Sequence, residues 1–259
     1  MPRLVTATRY VAPLREGGSL PAIVEADDDG LYVVKFRGAG HGTKALVAEV
    51  VAGEIGRTLG LRVPDIVLVD LDPALSAAEP DPEIRDLLHR SAGLNAGLDF
   101  LPGALGFDPA AGFAPGPDLA AEVVWFDAFV TNVDRTPRNT NLLVWHRRLW
   151  LIDHGSALYI HHTWRDAASH AMRAFPQSRH HVLLPYASSI RDADARLAPL
   201  LDRDVFAMIL AGIPDDWLDP EPLLRDAAAH RQAYVDYLCR RLAEPRLFVE
   251  EADRGRAAA

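Results

Sequence analysis

Three side chains able to hold a hard cation or accept a proton fall within twenty residues: Asp134, Asn139 and Asp153, in VTNVDRTPRNTNLLVWHRRLWLIDHGSAL (130–158). Asp134 and Asn139 sit in a polar loop. Two apolar runs follow, LLVW and LWLID, separated by His146-Arg147-Arg148. This reads as a β-hairpin with Asp153 at the end of its second strand and Gly155 just beyond. Such a set suits phosphoryl transfer from ATP, which needs positioning and charge neutralisation more than covalent chemistry. Asp134 would accept or orient the proton of an attacking hydroxyl. The Asn139 amide and the Asp153 carboxylate are the oxygen ligands that Mg²⁺ takes.

A cation for the phosphates, and an acid to orient it, must then come from elsewhere. Residues 19–37 read as a hairpin, with SLPAIVEA extended, Asp27-Asp28-Asp29-Gly30 as the turn and LYVVKF as the second strand. Lys35 interrupts that apolar strand. A strand lysine is ordinarily the solvent-facing member of an alternating pattern. Here it is followed at once by RGAGHG, read as a flexible glycine-rich loop, and then by a helix over about 43–59 closed by Gly60. Val47, Val51, Ile55 and Leu59 form the stripe that buries against a sheet. Ala45, Ala52, Gly53 and Gly56 form a second face of small residues, and Glu49 falls within it. A glutamate there points inward and needs a cation, so Lys35 with Glu49 is the expected pair, ahead of Lys35 with Glu54.

The remaining elements must place these groups. RVPDIVLVDL (62–71) reads as a strand opened by Pro64, and PEIRDLLHRSAG as a short helix after a polar, Pro-rich stretch. The Gly/Pro-rich run from Leu94 to Asp118 marks a boundary between two lobes, 1–102 and 103–259, with LDFL as a last strand before the crossover. A nucleotide base would stack near the backbone of Val69–Leu71 or of Phe100–Leu101, and the sequence leaves both open. Asp118 reads as the N-cap of a helix through about Asn132. Leu119, Val123, Phe126, Val130 and Val133 share one face, widened by Trp125 and Phe129. Asp127, in mid-helix, receives no role. Residues 156–165 stand where an activation segment would. Asp202 to Ala211, and Glu221 to Leu242 with Leu223, Ala227, Tyr234, Leu238 and Leu242 buried, complete a helical second half, and 252–259 reads as a frayed tail.

The order Lys, Glu, Asp, Asn, Asp and the D-x4-N spacing are those of the protein-kinase superfamily. With YVVKF and AEVVAGEIGRTLGL upstream, NVDRTPRNTNLLV and LWLIDHGSAL resemble the HipA-like serine/threonine kinase family over about residues 19–160, and more loosely through the helical tail from IPDDWL onward. N-x-D-R-x-x-x-N with I-D-H-G is similar, more distantly, to phosphatidylinositol 3- and 4-kinases. The resemblance implies an α+β, bilobal protein-kinase-like fold, with a small β-rich N-lobe carrying one main helix and a mostly helical C-lobe. It implies Asp134 as catalytic base, Asn139 and Asp153 as Mg²⁺ ligands, Lys35 as the ATP anchor, and protein Ser/Thr as the favoured acceptor. Two positions depart from the pattern. Thr136, followed by Pro137, stands where both relatives usually carry a histidine, and Asp153-His154-Gly155 stands for Asp-Phe-Gly. The chain is also shorter than the full HipA toxins, which bears on the toxin role and a DNA-binding antitoxin partner.

Composition narrows the alternatives. The 259 residues are 49% hydrophobic and 24% charged, as in ordinary globular proteins. A net charge of −9 disfavours broad nucleic-acid binding but not ATP, where local cations and Mg²⁺ outweigh the distant field. No apolar run is long enough for a membrane span, and the N-terminus lacks a signal-peptide pattern. The single cysteine, Cys239, excludes an internal disulfide, fits a cytoplasmic setting and reads as a buried, inert thiol. His161-His162, His170 and His180-His181 match no zinc spacing, and HGSAL lacks the G-x-S-x-G elbow. Two rivals of different kind stand beside a protein kinase. One is a nucleotide-binding regulatory module that acts through a protein partner, and the other is a kinase of the same fold acting on a lipid or small-molecule hydroxyl.

Overall fold

The computed structural model describes residues 2–14, 20–40 and 42–258. Strands β1 (Arg3–Pro13), β2 (Ala22–Ala26), β3 (Leu31–Lys35), β5 (Gly93–Asp99) and β4 (Ile66–Leu71) close, in that order, into a barrel. Only the β1–β4 seam is parallel. Alternation decides what lies inside. Val5, Ala7, Ala22, Val24, Ala26, Tyr32, Val34, Val67, Val69 and Leu71 form one buried cluster, closed by Ile84, Leu87 and Leu88 of helix α2 (Pro82–Arg90). So narrow a barrel takes small interior side chains.

Gly97 shows how narrow. A Cβ there would lie 2.7 Å from Cγ2 of Val69 and 2.9 Å from Cγ2 of Val67. Valine side chains are stiff at χ1, so they cannot swing away. Gly97→Ala is expected to destabilise by about 1–3 kcal/mol, outweighing the roughly 0.5–1 kcal/mol gained by removing a strand glycine. Chemical denaturation checks this, and an unchanged midpoint refutes the packing argument.

Helix α1 (Gly42–Thr58) lies against β4 and β5 on one side and α6 (Arg203–Ala211) on the other. It is buried on nearly all faces, as its largely apolar middle requires, and Glu49 is buried with it. Its stripe residues join one continuous core with Phe126, Phe129, Trp217 and Leu238 of the C-terminal part. That part is helical: α3 (Pro117–Phe129), α4 (Ala167–Ala171), α5 (Ile190–Leu197), α6, α7 (Ala227–Leu242) and α8 (Leu247–Ala257). A small sheet of β6 (Leu105–Gly106), β7 (Leu142–Trp145) and β8 (Arg148–Leu151) lies beside them. The molecule is thus α+β, with a β-rich N-terminal region and a helical C-terminal part.

Several sequence expectations are corrected here. The first segment is a long strand, β1, where only the lack of a signal pattern was read. The run 62–71 becomes a strand only from Ile66, and of LDFL only Leu98 and Asp99 are strand, as the end of β5, which starts at Gly93. Gly116, not Asp118, caps α3. Asp118 lies in the first turn and accepts from the Ser188 hydroxyl at 2.7 Å, and the helix stops at Phe129. Val133 is therefore exposed, off the face its spacing implied. Helix α7 begins at Ala227, where Asp226 caps it through Ala229 N, leaving Leu223 exposed in the preceding loop. Residues 252–258 are not a frayed tail. Ala252 is fully buried with Phe248 and Val249 in the packed face of α8.

The glycine-rich loop after β3 is tied down instead of free. Asn95 Oδ1 accepts from Arg37 N at 2.9 Å, and Ser91 Oγ accepts from Gly38 N at 3.2 Å. A Cβ on Gly38 would meet Ser91 Oγ at 2.8 Å, so the glycine serves close packing. Ser19 and His41, which belong to the hairpin and loop readings, and Ala259 of the tail lie outside the described residues.

Candidate active site

Lys35 is the last residue of β3. Its neighbours Tyr32 and Val34 point into the barrel, so Lys35 is indeed on the outer face, but α1 covers that face. Its ammonium donates to Glu49 Oε2 at 2.6 Å and to Asp153 Oδ1 at 2.5 Å. Glu54 instead lies 3.8 Å from Arg57, so Glu49 is the partner. Burial by itself lowers the Lys35 pKa, but the charges of Glu49 and Asp153 outweigh it and raise the pKa. Burial would likewise raise the Glu49 carboxyl, yet Lys35 and then His154 hold it at about 2. His154 is fully buried, with Nδ1 3.4 Å from Glu49 Oε1 and its ring edge-on to Phe126 at 5.8 Å. The residue that replaces the phenylalanine of Asp-Phe-Gly therefore abuts the acid of α1.

Asp153 lies two residues beyond β8, not at its end, and adopts a left-handed conformation (φ 56°). Such backbone costs about 1–3 kcal/mol in most residues, and Asp and Asn tolerate it best. The β7–β8 turn, His146–Arg147, is also left-handed at both positions, the geometry of a two-residue hairpin. Gly155 rests on α1, where a Cβ would lie 3.6 Å from Ala45 O.

Asp134 and Asn139 form a second group. Asn139 Nδ2 donates to Asp134 Oδ2 at 2.8 Å, and Asn141 Nδ2 reaches the Asp134 carbonyl at 3.2 Å. Thr136 and Asn139 exchange backbone hydrogen bonds of 2.9 and 3.2 Å, closing a turn in which Pro137 has the favoured place. Thr136 thus shapes the turn that sets Asn139 beside Asp134. Among the described residues, nothing donates to Asn139 Oδ1 or to Asp153 Oδ2. Two oxygen donors on neighbouring loops suit Mg²⁺, which keeps several waters and takes only one or two protein ligands when it also binds phosphate.

The two groups are joined by residues to which sequence reasoning gave no role. Arg135 is buried. Its Nη1 donates to the Asn141 carbonyl, and at 3.4 Å to that of Ile152, while Ile152 N donates to Asn141 O at 3.1 Å. Arg135 Nε is held by Asp127 Oδ2 at 2.5 Å. Asp127 also accepts from Asn132 Nδ2 at 3.0 Å and from His181 Nε2 at 2.8 Å. The tautomer of His181 follows, because its Nδ1 accepts from Leu183 N at 3.0 Å and Nε2 must then carry the proton. Burial would raise the Asp127 carboxyl, but Arg135 and His181 hold it at about 2. Only the oddity of an aspartate inside an apolar helix signalled this in the sequence.

The rings of His161 and His162 meet edge-on at 4.6 Å, but among the described residues no three His, Cys, Asp or Glu side chains group to hold a metal. His161 Nδ1 lies 3.0 Å from Tyr234 OH, and His170 Nδ1 lies 3.1 Å from Tyr237 OH. Cys239 is half-buried, and burial raises its thiol pKa. Of the two places considered for a base-binding backbone, Val69–Leu71 lies within β4. The chain leaves the barrel through Phe100–Leu101, where Phe100 N donates to Leu31 O at 2.8 Å.

Comparison with known proteins agrees in kind. A family model described as HipA-like kinase matches residues 8–248. The crystal structure of the Helicobacter pylori proinflammatory kinase CtkA superposes with a TM-score of 0.55 at 14% identity, covering 96% of this chain and 97% of that one. At that identity the likeness is one of fold. No match is found among the curated proteins.

Proposed function

The chain belongs to the HipA-like kinase family, and on that premise we propose that it transfers the γ-phosphoryl group of ATP to a hydroxyl, with protein Ser/Thr as the favoured acceptor. The observation that carries this reading is the ion-pair cluster of Lys35 from β3, Glu49 from α1 and Asp153 from the loop after β8, coupled through Arg135 to the Asp134–Asn139 loop. In it Lys35, oriented by Glu49, binds the α/β-phosphates and exchanges its contact with Asp153 for them. Asn139 Oδ1 and Asp153 would hold Mg²⁺, which neutralises charge on the phosphates. Asp134 takes the proton as the hydroxyl oxygen bonds to phosphorus and ADP leaves. The base lies against the Phe100–Leu101 backbone. The barrel side (1–102) and the helical side (103–259) act as two lobes around the nucleotide.

A melting titration with millimolar ATP, with and without Mg²⁺, tests the premise of nucleotide binding. A Mg²⁺-dependent upward shift is expected, and no shift would end the phosphotransferase reading. Autophosphorylation read by mass spectrometry, with acceptor screens, then separates a kinase from a module that only binds nucleotide. Among the described residues no helix is long and apolar enough to cross a membrane.

A further inference from the structure

A cavity of about 240 Å³ opens beside the loop that carries Asp134. Thr131 and Val133 bring that loop into its wall, and Tyr159 brings in the segment after Gly155. His170, Arg173 and Arg241 supply the far side. None of the described residues lining it is acidic, although the chain as a whole carries a net charge of −9.

Arg241 is buried and gives its N–H groups to carbonyls only. These are Ala128 and Phe129 at the C-terminal end of α3, both at 2.6 Å, and Ala171 and Arg173 at 3.1 and 3.2 Å. A helix C-terminus offers roughly half an elementary charge, so the guanidinium is only partly compensated. Burial pushes Arg241 down to about 10, opposed by Tyr237 but by no carboxylate, and its guanidinium lies over the Phe248 ring at 4.7 Å. Arg173 stands exposed at the same recess. After burial, the charges of Arg241 and Arg173 are what depress the His170 imidazole, so both fields converge on this point. A buried cation without a counter-charge is costly, and an anion from outside would relieve it.

Size and place select the anion. The cavity is smaller than the roughly 300–1,000 Å³ of small-molecule sites, and suits one side chain. It adjoins the residues flanking Asp134, where an acceptor must arrive. We propose that this cavity is an acceptor subsite that takes one anionic side chain, acidic or phosphorylated, of the polypeptide whose hydroxyl is presented to Asp134. The inference rests on the phosphotransferase reading above.

Serine peptides with glutamate, phosphoserine, glutamine or lysine fixed at successive flanking positions, assayed with Mg·ATP, test it. The expected result is a KM at least tenfold lower for glutamate or phosphoserine than for glutamine at one position, with kcat little changed. The two arms tell carboxylate from phosphate. Arg173→Glu erases that preference and Arg173→Lys partly keeps it, while the Mg·ATP melting shift remains in both. Equal KM values across the panel, or a preference untouched in Arg173→Glu, overturn the proposal. Independently, phosphoserine and inorganic phosphate titrated into the full chain should shift the His170 imidazole resonances saturably, in wild type but not in Arg173→Glu. If no peptide is phosphorylated yet this shift occurs, the phosphotransferase reading falls and the anion site stands. No shift ends the anion site itself.

Discussion

Asp153→Asn is expected to fold normally and to lose ATP turnover on the order of a thousandfold or more, together with Mg²⁺-dependent thermal stabilisation. The magnitude follows from several kcal/mol of charge stabilisation supplied through the metal it would hold. Little stability should be lost, because asparagine also tolerates the left-handed backbone at φ 56° and can still accept from Lys35. The Asp153 side chain is moreover 43% exposed, so its ion pair contributes weakly to folding. Asp134→Asn separates the roles: turnover falls, but the Mg·ATP melting shift survives. Retained turnover in Asp153→Asn would sink the assignment of that residue.

The second large effect is structural. Asp127→Asn should destabilise by about 3–5 kcal/mol, since it leaves the buried Arg135 guanidinium without its counter-charge. For a chain of this size that is roughly 6–20 °C in melting temperature. An asparagine cannot satisfy three donors as a carboxylate does, and Asn132, Arg135 and His181 all point at this side chain. The pH dependence has a definite sign. The Asp127 carboxyl is lowered from 3.8 to about 2, so its stabilisation is complete above about pH 4 and is lost as pH falls towards 2. The share from this group is roughly 2–3 kcal/mol, and Glu49, lowered from 4.5 to about 2, adds to the same window. Acid titration of wild type and Asp127→Asn by circular dichroism should show a shallower loss in the variant. Removing both charges, with Asp127→Leu and Arg135→Met, should cost less than the sum of the single changes. Strict additivity would mean that the pair does not couple the two loops.

Loss of Asp127 should also lower turnover beyond what unfolding explains. Arg135 binds the carbonyls of Asn141 and Ile152, the backbone that leads from the Asp134 loop to Asp153. This coupling was not legible in the chain, because Asp127 and His181 are separated by 54 residues and meet only after the fold closes. Arg135 was in plain view within N-V-D-R, but a loop arginine reads as solvated until an acid is placed beneath it. Local patterns failed elsewhere for a related reason. Asp118 has the chemistry of an N-cap, yet the helix begins one turn position earlier at Pro117, with Gly116 before it. Leu223 fits a helical stripe, but Asp226 is the residue that caps α7, and the stripe upstream of it has no helix to belong to.

What the sequence determined by itself was the inventory and its local settings. The alternation around Lys35, the small-residue face around Glu49, the D-x4-N loop and the hairpin that leads to Asp153 all follow from short-range periodicity and turn chemistry. Lys35 did prove to be on the outward side of its strand, as alternation requires. Only the tertiary structure decided that α1 covers that side, so that the lysine meets two carboxylates instead of water. It also decided that Asp127, Arg135 and His181 share one buried site, and that Arg241 and Arg173 face a recess with no acid among the described residues that line it. The physical reason is the same in each case. Whether a charge is solvated or paired depends on what is packed over it, and packing brings together residues far apart in the chain.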